Sequence, residues 1–160
     1  MAIHDDSITI QGHTYGTARA KLRYTDLTAA ATSQVLTFAQ LHAAHPLGAS
    51  TIPAEAVIEA AELVPITAFA GNSATTATVA LGDAGDPDEL ITATDVFAAP
   101  GALTRANGAL VLPAIEVTAY GAQVTFTSDV NLGDGTTTLL TAGACELRIR
   151  YVASATDSRI

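Results

Sequence analysis

The chain has 160 residues, about the size of one domain, and 49% of them are hydrophobic, which is enough for a core and excludes intrinsic disorder. Its net charge of −9 would repel nucleic-acid phosphates and anionic membrane surfaces, so we expect it to bind neither. Only 14% of the residues are charged and Trp is absent, whereas 33 alanines and 23 threonines dominate the composition.

Four segments alternate polar and apolar residues with a period of two, which predicts strands that bury one face. In chain order they are 7–11, 18–24, 123–130 and 146–152. Strands of this kind are typical of antiparallel sheets. In the third segment, Phe126 is predicted to lie on the core face.

Four further segments are apolar on both faces, and their Thr and Val content favours strands over helices. They are 62–69, 74–81, 110–115 and 136–140. Turn-forming Gly, Asn, Asp and Pro residues separate the segments. The region 28–44 is ambiguous, because its alanines suit a helix while Val35 and Thr37 favour a strand over 32–39, which we predict.

These elements predict a single all-β domain over residues 1–160, folded as an antiparallel, jelly-roll-like β-sandwich. No low-complexity linker or internal repeat divides the chain. Residues 1–17 are expected either to join the sandwich or to form an arm that reaches a neighbouring subunit. The first nine residues lack the basic and apolar stretches of a secretory signal, and no segment is typical of a membrane span.

The best candidate for a metal site is the acidic segment that follows 74–81. Closely spaced carboxylates are the ligands that calcium prefers. The candidate ligands are Asp83, Asp86, Asp88 and Glu89, with Asp95 beyond them. The EF-hand spacing is absent, so a solvated turn is the competing and favoured interpretation.

The sequence offers little for catalysis, and we expect neither an enzyme nor a cofactor. His42 and His45 stand three residues apart but lack a third metal ligand nearby. Cys145 falls in a strand-like segment without a neighbouring His, so it is expected to be a small core residue. Nucleophile-elbow and phosphate-binding motifs are missing.

Positive charge is concentrated on two predicted strands. Five of the seven Lys and Arg residues lie there, each set on a single face: Arg19, Lys21, Arg23, Arg148 and Arg150. They are expected to be either solvated sheet faces or residues that contact an acidic surface of a neighbouring subunit or scaffold.

Three stretches together resemble small β-rich proteins of tailed bacteriophages. They are 52–58 (IPAEAVI) with 63–71 (LVPITAFAG), 77–88 (ATVALGDAGDPD) with 90–96, and 140–151 (LTAGACELRIRY). In this order they are similar to head decoration, or cement, proteins, which are encoded beside the major capsid protein. The resemblance covers about residues 52–152.

The resemblance implies a jelly-roll or related sandwich, assembly as trimers on the capsid surface, the major capsid protein as partner and no catalysis. It therefore predicts a structural virion protein that stabilises a phage head. Three alternatives stay open: a tail or baseplate β-domain, a calcium-dependent module that binds carbohydrate, and a cupin-like metalloenzyme that would need more histidines.

Overall fold

The computed structural model describes residues 7–10, 13–53, 56–97, 104–105 and 121–154. Within these ranges the chain forms nine strands, one short α-helix and a 3-10 turn at Tyr24–Asp26. The strands are β1 Ser7–Ile10, β2 His13–Arg23, β3 Ser33–Thr37, β4 Val57–Gly71, β5 Ala77–Gly82, β6 Ile91–Asp95, β7 Thr104–Arg105, β8 Gln123–Ser128 and β9 Leu140–Ser154. The helix α1 spans Phe38–Ala44.

The strands form two antiparallel sheets. The five-stranded sheet has the order β1-β2-β9-β4-β7, and the four-stranded sheet has the order β3-β8-β5-β6. From β2 onwards the chain therefore supplies four strands to each sheet in jelly-roll order, with β1 added at one edge. This arrangement confirms the predicted all-β sandwich.

The core lies between the two sheets and is made by the predicted alternation. On β2, Ala18, Ala20 and Leu22 are fully buried, whereas the residues between them are not. Phe126 of β8 is fully buried, and its ring centroid lies 4.8 Å from that of Phe69 on β4. This aromatic pair joins the two sheets.

The long strand β9 has a glycine where an aromatic ring lies against the backbone. Gly143 has a φ of +140°, and a Cβ there would overlap the ring of Phe69. Only glycine accepts both this backbone conformation and this close approach. Phe69 itself lies in an irregular part of the pairing between β4 and β9, where the register shifts between Thr67 and Ala70.

The region 28–44, whose sequence suited both a strand and a helix, contains one of each. Strand β3 ends at Thr37, whose side-chain oxygen accepts a hydrogen bond from the backbone N–H of Gln40 and caps helix α1. The predicted strand 32–39 is therefore correct for Ser33–Thr37 and wrong for Thr32, Phe38 and Ala39. The Thr37–Gln40 capping box ends the strand by starting the helix.

The strand predicted at 136–140 is wrong over most of its length. Asp134 accepts hydrogen bonds from the backbone N–H and the hydroxyl of Thr136 and Thr137, which makes this segment a turn. Strand β9 begins only at Leu140. The strand predicted at 110–115 lies outside the described residues.

Residues 1–17 were predicted either to join the sandwich or to form an arm, and strands β1 and β2 contain part of them. Ser7–Ile10 pairs with β2, and the His13–Thr17 part of β2 pairs with the end of β9. These residues therefore extend the five-stranded sheet of their own chain. The extent of an arm in residues 1–17 stays a prediction.

Candidate interaction surface

The five predicted contact cations lie together on the solvent side of the five-stranded sheet. Strands β2 and β9 are neighbours, so Arg19, Lys21 and Arg23 of one strand lie beside Arg148 and Arg150 of the other. We call these five residues the basic face. Because Arg19 stands directly opposite Arg148, the pairing of β2 with β9 places two like charges together.

Glu146 relieves this repulsion. Its Oε1 lies 2.9 Å from Nε of Arg19 and 2.8 Å from Nε of Arg148, so one carboxylate oxygen accepts from both guanidinium groups. Burial acts to raise the pKa of Glu146, but the hydrogen bonds from Arg148 and Arg19 outweigh it and lower that pKa. The hydrogen bond between Arg148 and Glu146 also raises the pKa of Arg148. Glu146 therefore engages the two central cations of the basic face, Arg19 and Arg148, in contacts within the chain.

The rest of the basic face is more open. Arg150 has a Nη2 atom 3.7 Å from Oε1 of Glu62 on β4, yet half of its side chain is exposed. Arg23, at the end of β2, is exposed, and Lys21 is half-buried. The cations available to a partner are therefore those at the two ends of the face rather than at its centre.

An apolar row lies beside Arg150 on the same side of the sheet. Tyr15 of β2 is opposite Val152 of β9, which is opposite Val57 of β4. Tyr15 and Val57 are 42% and 43% exposed. Apolar side chains rimmed by charged ones are typical of surfaces that bind another protein.

Sequence reasoning found the cations but missed Glu62, Glu146 and the apolar row. Glu146 shares the outward positions of β9 with Arg148, so its place on this side was readable from the alternation. Its contact with Arg19 was not, because 127 residues separate the two. Tyr15 joins the row through the register of β2 on β9, which a single strand pattern does not contain.

The acidic segment is the connection between β5 and β6. Asp83 Oδ1 accepts hydrogen bonds from the backbone N–H groups of Gly85 and Asp86, so its carboxylate shapes the turn. Asp86, Asp88 and Glu89 are exposed. In the part of the chain that the structure describes, no three His, Cys, Asp or Glu side chains form a group that could hold a metal ion. The calcium interpretation therefore gains no support from the arrangement of these carboxylates.

The two histidines have separate environments. His42 lies in α1 and His45 caps its end, where Nε2 is 3.0 Å from both carboxylate oxygens of Asp26. Since a carboxylate only accepts, this ring nitrogen donates. The contact ties the end of α1 to the turn that follows β2.

Cys145 points into the core from β9. Its side chain is fully buried, and burial raises the pKa of the thiol to about 12. Since the thiolate is the reactive form, this cysteine is poorly suited to act as a nucleophile. Its predicted role as a small core residue is confirmed.

No protein-family model and no curated protein matches the chain. A solved structure does. A chain of the cyanophage Pam1 capsid asymmetric unit aligns with a TM-score of 0.57 at 17% sequence identity, covering 91% of this chain and 89% of that one. The likeness is one of fold, and it extends over both sheets. None of the helices in the described ranges is long and apolar enough to cross a membrane.

Proposed function

We propose that this protein is a structural component of a phage virion that binds the outer surface of the head and stabilises it. The observation that carries the proposal is the fold likeness to a chain of a cyanophage capsid asymmetric unit over nine-tenths of the sequence. The resemblance of residues 52–152 to head decoration proteins supports the same class of function from the sequence.

The surface of the described residues fits a role in assembly. The outer side of the five-stranded sheet combines exposed cations with an apolar row, and both features favour contact with another protein. Cys145 is buried and the acidic segment forms a turn. We therefore propose no catalytic role for either.

The stabilisation would follow from mass action. A protein that binds only the assembled shell stabilises it by about 2.7 kcal/mol per site when its free concentration is 100 times its dissociation constant. A shell offers many such sites, and an oligomer that engages several at once gains further through effective concentration. We propose the major capsid protein as the partner and a homotrimer as the binding unit.

The direct test is co-sedimentation with shells assembled from the major capsid protein of the same phage. We expect saturable binding at a fixed ratio to the shell subunits and a higher melting temperature of the decorated shells. Unassembled capsid subunits serve as the control and should bind little. Absence of the protein from the shell fraction at micromolar concentration would contradict the proposal.

Two further measurements separate the alternatives. A tail or baseplate protein would remain with the tails when disrupted virions are fractionated, whereas a decoration protein would remain with the heads. Calcium would raise the melting temperature of a calcium module, and changing both Asp83 and Asp86 to Ala would abolish that rise. For a decoration protein we expect the same melting temperature with calcium and with chelator.

A further inference from the structure

In the part of the chain that the structure describes, all Lys and Arg residues belong to one of the two sheets. They lie on strands of the five-stranded sheet: Arg19, Lys21, Arg23, Arg105, Arg148 and Arg150. On the outer side of that sheet, the five cations of the basic face outnumber the three carboxylates of the sheet's strands, Glu59, Glu62 and Glu146. This surface is therefore positive on a chain whose net charge is −9.

On the other layer the negative charge lies in the connections and at the end of β6, because β3, β5 and β8 carry no charged side chain. The β5–β6 connection and strand β6, which we call the acidic hairpin, carry Asp83, Asp86, Asp88, Glu89 and Asp95 without a Lys or Arg. Asp86 and Asp88 are exposed. The molecule thus has a positive surface on one layer and an acidic hairpin at the edge of the other.

These two surfaces belong to different sheets. The basic face points away from the core on the five-stranded sheet, while β5 and β6 form one side of the four-stranded sheet. Packed sheets lie about 10 Å apart, with the buried core between them. The opposite charges are therefore arranged to attract another molecule rather than each other.

We propose that the basic face of one copy docks on the acidic hairpin of a second copy. A two-fold contact through the same patch would place cations against cations or carboxylates against carboxylates, which is unfavourable. A head-to-tail contact pairs opposite charges, and when such contacts close they form a ring. The apolar row of Tyr15, Val57 and Val152 adds apolar surface to the basic side of this interface.

The experiment is a charge-swap cycle on the full chain, measured by sedimentation equilibrium without any shell. One variant, Arg23→Glu with Arg150→Glu, reverses the open ends of the basic face. A second, Asp86→Lys with Asp88→Lys, reverses the hairpin. The combined variant carries all four changes and has the same net charge as the original chain, so a difference in overall charge cannot explain its behaviour.

We expect the original chain to self-associate at about 50 mM salt and to dissociate as salt rises, because screening shortens the range of these interactions. Each two-site variant should weaken association by about tenfold or more, and the four-site variant should regain it. Ala30→Glu with Ala43→Glu adds two charges at exposed positions outside both surfaces and should leave association unchanged. Circular dichroism of every variant shows that it is folded.

Three results would overturn the inference: a monomer at 100 µM and low salt, association that ignores salt, or failure of the four-site variant to recover. Both surfaces belong to this chain and the measurement contains no shells, so its result does not depend on shell binding. A ring that does not bind shells would reject the proposed function alone, and a monomer that binds shells would reject this inference alone.

Discussion

At the scale of single residues, position in the strand alternation decides the role of a side chain. Phe126 and Thr127 are neighbours on β8, yet Phe126 is fully buried against Phe69 while Thr127 is exposed. Successive side chains of a strand point to opposite faces, so one position separates the core from solvent.

Phe126→Asp is expected to unfold the domain. Removing a buried Phe side chain costs about 3–5 kcal/mol, and an unpaired charge in the same place adds to this, against a total stability of about 5–15 kcal/mol. Thr127→Asp introduces the same residue on the solvent side, where it loses an exposed hydrogen bond to Ser33, and should cost about 1 kcal/mol. Urea unfolding followed by circular dichroism compares the two, and a Phe126→Asp protein with normal stability would show that the assigned core face is wrong.

Cys145 should be inert in the folded protein. Burial raises the pKa of its thiol to about 12, so almost no thiolate is present at pH 8 and reagents cannot reach it. We expect no reaction with a thiol reagent in buffer and one equivalent per chain in urea. A Thr127→Cys variant adds an exposed thiol as the positive control, and rapid modification of Cys145 in the native chain would disprove its burial.

At the scale of elements, side-chain hydrogen bonds to the backbone decide where strands begin and end. Asp134 turns an apolar-looking segment into a loop before β9. Asp129 accepts hydrogen bonds from the side chain and backbone of Thr75 and from the backbone of Thr76, which joins the end of β8 to the start of β5. These hydrogen bonds lower the pKa of both carboxyl groups, because they favour the charged form.

Asp134→Asn should therefore destabilise the protein in a pH-dependent manner. The pKa of Asp134 is lower in the folded than in the unfolded chain, so its contribution is fully present above the unfolded value of about 4 and is lost as pH falls through the folded value. We expect a lower urea midpoint at pH 7 and a shrinking difference from the original chain below pH 4.

The matched control is Asp88→Asn, which removes the same charge from an exposed position in the β5–β6 connection. It should leave the midpoint nearly unchanged at pH 7. Equal effects of the two substitutions would mean that the hydrogen bonds around Asp134 contribute nothing.

At the scale of the whole molecule, one hydrophobic cluster joins both sheets in the described residues. It runs from Leu22 and Leu147 on the five-stranded sheet to Val79 and Phe126 on the other. Because neither sheet can bury its inner face alone, the two sheets should be stable only together.

We therefore expect the chain to unfold in one cooperative transition. Circular dichroism and the exposure of Cys145 should change at the same urea concentration, and the calorimetric and van 't Hoff enthalpies of unfolding should agree. Loss of one signal before the other would indicate that the predicted single domain consists of separate units.

The sequence by itself was sufficient for the class of fold and for most of the strands. Alternation along 18–24, 123–130 and 146–152 assigned the buried face of each, because the side-chain period of a strand is a local property. It also placed the five cations on single faces of two strands. Residues 38–39 and 136–139 were misassigned to strands because one capping box and one aspartate outweighed strand propensity there.

Only the tertiary structure decided which surfaces these residues form. The pairing of β2 with β9 joins residues more than a hundred positions apart, and it places Arg19 beside Arg148, with Glu146 between them and the apolar row at one end. Many registers would satisfy the same alternation, since a shift by two residues keeps every side chain on its face. The register is chosen by the packing of the whole core, so the charged and apolar surfaces emerge only when both sheets are assembled.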